Sequence, residues 1–116
     1  MARKSIAEMS FSQVYPLLVQ KAERKGRTRA EVDAACCWLT GYDETGLARQ
    51  LERGITYQEF FDEAPAINPN CALITGKVCG VDVAAIEDPV ERCARYLDKL
   101  VDELARGKAL EKVLRS

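Results

Sequence analysis

Helix-boundary signals recur along this chain so often that little besides short helices fits between them. Thr28-Arg29-Ala30-Glu31 and Thr56-Tyr57-Gln58-Glu59 both read as capping boxes. In each, a threonine hydroxyl and a glutamate three residues later satisfy backbone amides that a helix start leaves orphaned. Asp88-Pro89 puts a capping carboxylate before a proline at the first helical position. Gly26, Gly41 and Gly54 stand where the preceding apolar periodicity ends, the usual place of a C-terminal cap.

Apolar spacing fills in the helices between these marks. Val14, Leu17, Leu18 and Ala22 recur at helical intervals, and Pro16 predicts that the regular part starts near Tyr15 or Pro16. Val32, Ala35, Cys36 and Leu39 share the next face, with Trp38 beside it. Asp43 caps a third helix carrying Leu47 and Leu51, and a short one bears Phe60 and Phe61 before Pro65. Asn68 or Asn70 is expected to cap a short helix over Ala72, Leu73 and Ile74. Residues 78–83, "VCGVDV", alternate weakly; without a convincing partner strand they read as irregular or helical. Val90, Cys93, Leu97, Leu100, Val101 and Leu104 form one stripe. Beyond Gly107, Leu110, Val113 and Leu114 follow, on a bent continuation or a second helix. The expected fold is all-α: a single domain over 10–116 of five to six short helices and a longer amphipathic C-terminal helix, after a tail at 1–9.

Composition narrows function more than fold. The 116 residues contain no histidine. That removes Ser-His-Asp and Cys-His catalysis and mixed cysteine-histidine zinc sites. The five cysteines form no C-x-x-C pair, so no metal site and no cofactor is expected. Cys36 and Cys93 read as small hydrophobes on helix faces, and reduced thiols are expected throughout. The longest apolar run, Ala34–Leu39, cannot span a membrane. "MARKSIAEMSFSQ" has no signal-peptide core. A cytoplasmic location without membrane partners is the expectation.

Net charge is −1, but unevenly spread. Basic residues gather in "KAERKGRTR" (Lys21, Arg24, Lys25, Arg27 and Arg29), and the following middle is acidic. A phosphate-contacting patch is one reading. A solvated helix end that complements the macrodipole is the plainer one. No aromatic interleaves, so nucleic acid binding is expected to be weak or absent.

The densest cluster of special residues is "INPNCALITGKVCG", 67–80. Thr75-Gly76-Lys77 hints at phosphate, yet a P-loop needs a glycine where Cys71 stands and Ser or Thr where Val78 stands. The asparagines and glycines read as turn chemistry. Trp38, Tyr42, Asn68, Asn70, Thr75 and Lys77 are the candidate walls of a ligand pocket. Cys71, near a helix start, is the candidate reactive thiol. No residue is assigned a catalytic role.

The runs "YPLLVQKAERKGRTRAEVDAACCWLTGYDETGL", "FFDEAPAINPNCALITGKVCGVDVAAIEDP" and "RYLDKLVDELARGKALEKVLR" resemble, in this order, a bacterial family known as domain of unknown function 2200. The resemblance spans about residues 10 to 115. It implies a compact, mainly helical bacterial cytoplasmic domain and no activity. The leading functional expectation is therefore a non-enzymatic binding or interaction module, self-associating through the C-terminal helix. The alternative is a small-molecule or anion binder, conceivably an enzyme, at residues 38–42 and 68–77; a weak nucleic-acid binder ranks third.

Overall fold

A computed structural model describes residues 8–78 and 80–114. Its helices are α1 (Phe11–Glu23), α2 (Arg29–Thr40), α3 (Glu44–Arg53), α4 (Tyr57–Asp62), α5 (Pro89–Ala105) and α6 (Leu110–Val113). The all-α reading holds, with α5 the longest at 17 residues. Most of the tail, residues 1–7, lies outside the described residues.

The caps form as their chemistry dictates. Both capping boxes close reciprocally at Thr28/Glu31 and Thr56/Glu59. Asp43 accepts from the Gly46 amide and Asp88 from the Val90 amide. Gly41 ends α2 at φ +82°, and a Cβ there would lie 2.8 Å from the Ala66 nitrogen. Glycine is needed for both reasons: the backbone turns left-handed and the Ala66 segment crosses close over it. That crossing is fixed by bonds from the Ala66 amide to Thr40 O and from the Asn68 amide to Leu39 O.

Three expectations require correction. First, α1 starts at Phe11, so Pro16 lies inside it. Ser10 supplies the cap, and Phe11 is driven inward to stack on Phe60 at 3.8 Å. Packing outweighs the single backbone bond that Pro16 forfeits. Second, the stretch after Asn68 is a 3₁₀ segment, Pro69–Leu73, that leaves Leu73 exposed and buries Ile74 just beyond its end. Third, residues 77–82 hold a minimal antiparallel hairpin, β1 (Lys77–Val78) and β2 (Val81–Asp82), followed by a 3₁₀ turn at Val83–Ala85. The missing partner strand was three residues further along the same stretch. Two residues per strand are too few to leave an alternation pattern, and the pair is stable only because β1 lies against α5.

The core forms where the other helices converge on α5. Its Val90, Ala94, Leu97, Leu100, Val101 and Leu104 are buried, facing α1, α2 and α4. Gly107, at φ +96°, separates α5 from α6, which folds back against α2 and α5. Val113 is thereby fully buried, and Leu110 and Leu114 pack on the core. At one end of the core Phe60 lies between Phe11 and Tyr42, with ring centroids 3.8 and 4.8 Å away. Replacing Phe60 by alanine is expected to cost about 3–5 kcal/mol. Urea unfolding would register a matching loss, and a cost under about 1 kcal/mol, the surface-substitution range, would refute the stacking account.

Candidate functional site

The residues singled out between 38 and 77 fall into different environments. Tyr42 is buried, its hydroxyl donating to Phe60 O at 2.7 Å and accepting from Gln50 Nε2 at 3.0 Å. Gln50 and Arg53 both continue to Glu63, so Tyr42 ties α3 to α4. Trp38 is half-buried against the core, and its indole N–H is buried without an acceptor. Asn68 Oδ1 accepts from the Asn70 amide at 2.9 Å, so Asn68 is the cap and Asn70 its beneficiary. Thr75 and Lys77 are exposed at the start of the hairpin, where the Lys77 carbonyl accepts from Lys99 Nζ at 3.3 Å. Tyr42 thus faces the α3–α4 network, Asn68 borders the end of α2, and Lys77 borders α5.

Cys71 reads differently once placed. The 3₁₀ segment gives it a short, weak dipole, and it is half-buried. Burial pushes its thiol up, against the opposing pull of Arg92. Burial likewise raises Cys36 and Cys37, and it pushes Cys93 up to about 11. Each of these four is a free thiol rather than an activated thiolate.

A cleft with both apolar and polar walls lies among α1, α2 and α3. It encloses about 330 Å³. Pro16, Val19 and Leu51 give it apolar walls, and Ser12, Tyr15, Gln20, Glu23 and Arg29 give polar ones. The Ser12 hydroxyl donates to Leu51 O at 2.6 Å, joining α1 to α3 across the cleft. The Tyr15 hydroxyl donates to Asp33 Oδ1 at 2.5 Å, and Arg29 Nε lies 3.6 Å from Asp33 Oδ2. Burial first, then neighbouring groups including Asp33, hold the Tyr15 phenol far above its ordinary range. Pro16 has no N–H to give the Ser12 carbonyl, so one backbone acceptor on the cleft wall lacks its regular helical partner. Sequence reasoning missed this cleft because each member has a local explanation; the signal that could have marked it is a proline tolerated inside an amphipathic helix.

Residues 5–115 match a family described as an uncharacterized protein conserved in bacteria, DUF2200. The chain belongs to this family. A solved structure titled "Crystal structure of uncharacterized protein SP1917" is 44% identical, with a TM-score of 0.90 over 98% of this chain and 93% of its own. No curated protein matches the chain. The likeness supports the DUF2200 fold over nearly its full length and carries no activity with it.

In the basic run of this DUF2200 chain Arg24, Lys25 and Arg29 are exposed, and Arg27 turns inward. Arg27 forms a bidentate pair with Glu31, the same glutamate that closes the α2 capping box. Its other nitrogen donates to Leu104 O at 3.1 Å and Lys108 O at 2.7 Å, satisfying carbonyls around the end of α5. Lys21 pairs with Asp102 and Arg29 with Asp33. Among the described residues no group of three or more cysteine and acidic side chains is arranged to hold a metal ion.

Two measurements test these assignments. Asn68→Ala should lower stability by about 1 kcal/mol, the usual value of an N-cap, whereas Asn70→Ala should be near neutral. Arg27→Ala should lower the melting temperature in a pH-dependent way. The Arg27 hydrogen bond holds the Glu31 carboxyl below the usual carboxylate range. That stabilisation is present above the ordinary carboxylate pKa and is lost as pH falls through the depressed one. The gap between wild type and variant should therefore narrow in acid, down to the part due to the two carbonyl bonds. A pH-independent gap would disprove the Glu31 contribution.

Proposed function

We propose that the chain is a non-catalytic binding module whose ligand seats in the α1–α2–α3 cleft. The observation that carries this reading is that the cleft presents shape and oriented polar groups while its hydroxyls are already engaged. The Ser12 hydroxyl is bound to Leu51 O, which is no base, and the Tyr15 hydroxyl donates to the Asp33 carboxylate while burial keeps the phenol protonated. The volume lies at the lower end of the range for small-molecule sites. Apolar walls beside a carboxylate, an amide and a guanidinium suit a small amphipathic molecule better than a large rigid one.

The other readings have less to stand on. Association through the C-terminal helix has little apolar surface to use, since Val113 is buried and Leu110 and Leu114 pack on the core. Nucleic acid would have to compete with Asp102, Glu31 and Asp33 for Lys21, Arg27 and Arg29. No helix among the described residues is long and apolar enough to cross a membrane. A cytoplasmic location remains part of the proposal.

A small-molecule library screened by thermal shift tests the cleft, because a native-state binder raises the melting temperature. Gln20→Trp, at an exposed cleft position, fills it without touching the core. Hits should lose their stabilisation by at least about tenfold in affinity, the scale of a displaced ligand group. Hits that stabilise the variant as strongly as the wild type would place the binding elsewhere and sink this reading.

A further inference from the structure

The polar groups of the α1–α2–α3 cleft are mostly acceptors. Ser12, Pro16, Val19, Gln20 and Glu23 recur at helical spacing and share one face of α1. A hydroxyl has one proton to donate and two lone pairs with which to accept. The Ser12 proton is committed to Leu51 O and the Tyr15 proton to Asp33 Oδ1. Burial holds the Tyr15 phenol in its protonated form, so that proton stays where it is. The Ser12 carbonyl lacks its regular helical donor because Pro16 has no N–H. What Ser12 still offers is lone pairs.

Charge runs the same way. Glu23 is exposed on the cleft wall, and its side chain has no ion-pair or hydrogen-bond partner among the described residues. It is the last residue of α1, where a carboxylate adds to the negative end of the helix macrodipole. Arg24 and Lys25 follow it in sequence but do not line the cleft. Arg29 does line it, and lies 3.6 Å from Asp33, which balances its charge. Glu23 is therefore the uncompensated charge of the cleft. Gln20, exposed and three residues earlier, lies beside it on the same helix face. Val19 lies four residues before Glu23 and Pro16 four before Gln20, a helical turn of about 5 Å in each case. Leu51 adds the apolar wall from α3.

We infer, taking the cleft as the ligand site proposed above, that its ligand class is the amphipathic primary amine. The ammonium is held by the Glu23 carboxylate and the Gln20 amide oxygen, and the apolar body lies on Pro16, Val19 and Leu51. An ammonium carries three donors and no acceptor, which complements a wall of lone pairs. Its contact with Glu23 is charge-assisted and so stronger than a neutral hydrogen bond. A two-carbon link between the nitrogen and a ring matches the turn of about 5 Å that separates the carboxylate from the apolar wall. An alcohol of the same shape lacks the charge. An ionised carboxylic acid meets Glu23 as a like charge, and its own partner, Arg29, is already shared with Asp33.

Isothermal titration of the full chain with phenethylamine, 2-phenylethanol and 3-phenylpropanoate, at neutral pH and constant ionic strength, tests the class. The amine is expected to saturate in the millimolar range or tighter, with the alcohol at least about tenfold weaker, the loss that follows one unmade charged hydrogen bond. The carboxylate should be weaker still. Glu23→Gln keeps the size of the side chain and removes its charge; it should weaken the amine by about tenfold and leave the alcohol unchanged. Glu111→Gln, which removes an exposed carboxylate on α6, should change neither. Gln20→Trp should abolish amine binding by filling the cleft. No saturable amine binding, equal binding of amine and alcohol, or an undiminished amine affinity in Glu23→Gln would overturn the amine assignment. An equal loss in Glu111→Gln would do the same, as the mark of general screening. These outcomes leave the cleft itself to be judged by library hits read with Gln20→Trp. Preferred binding of phenylpropanoate, lost in Arg29→Ala, would overturn the amine while keeping the cleft. Amine binding that persists in Gln20→Trp would lie outside the cleft and overturn both.

Discussion

Everything in this domain leans on the apolar stripe of α5. α1, α2, α4, the hairpin and α6 all pack against that one helix. Five large side chains on it, Val90, Leu97, Leu100, Val101 and Leu104, are buried. At about 1.5–3 kcal/mol each, their burial is comparable with the entire net stability of an ordinary domain. None of the other helices is long enough to stand alone in water. Their caps decide where they begin and end, and α5 decides that they exist.

Charge serves this arrangement rather than decorating it. The basic run between 21 and 29 looks like a solvated patch when read along the chain. In three dimensions Lys21 ties α1 to α5, Arg27 ties the α1–α2 turn to the end of α5, and Arg29 reaches Asp33 beside the Tyr15 hydroxyl. Exposed pairs of this kind are worth little singly. Their value lies in joining segments that are distant in sequence.

How much of this was legible beforehand follows from the range of each interaction. Capping is local, so Thr28, Asp43, Thr56 and Asp88 could be read directly, and each helix began where its cap stood. Pro16 misled because its cost is local while the gain that outweighs it, Phe11 on Phe60, spans 49 residues. The hairpin was overlooked because two-residue strands carry no periodicity, and their support comes from α5. The segment from 67 to 80 drew attention because turn residues and ligand-binding residues are the same residue types. Asn68 caps, the glycines turn, and the cleft formed from residues that looked like ordinary helix surface.

The Arg27 guanidinium bridges the first turn of α2 and the carbonyls that precede α6. One side chain thus couples two stretches separated by about two-thirds of the chain. A four-residue helix near a chain end would ordinarily fray on its own, exchanging its amide hydrogens almost as fast as an unfolded peptide. Here fraying requires Arg27 to release Leu104 and Lys108 and Val113 to leave the core. The closing residues therefore open in step with the α1–α2 turn, as one cooperative unit, and amide exchange in α6 reports on a turn some eighty residues earlier.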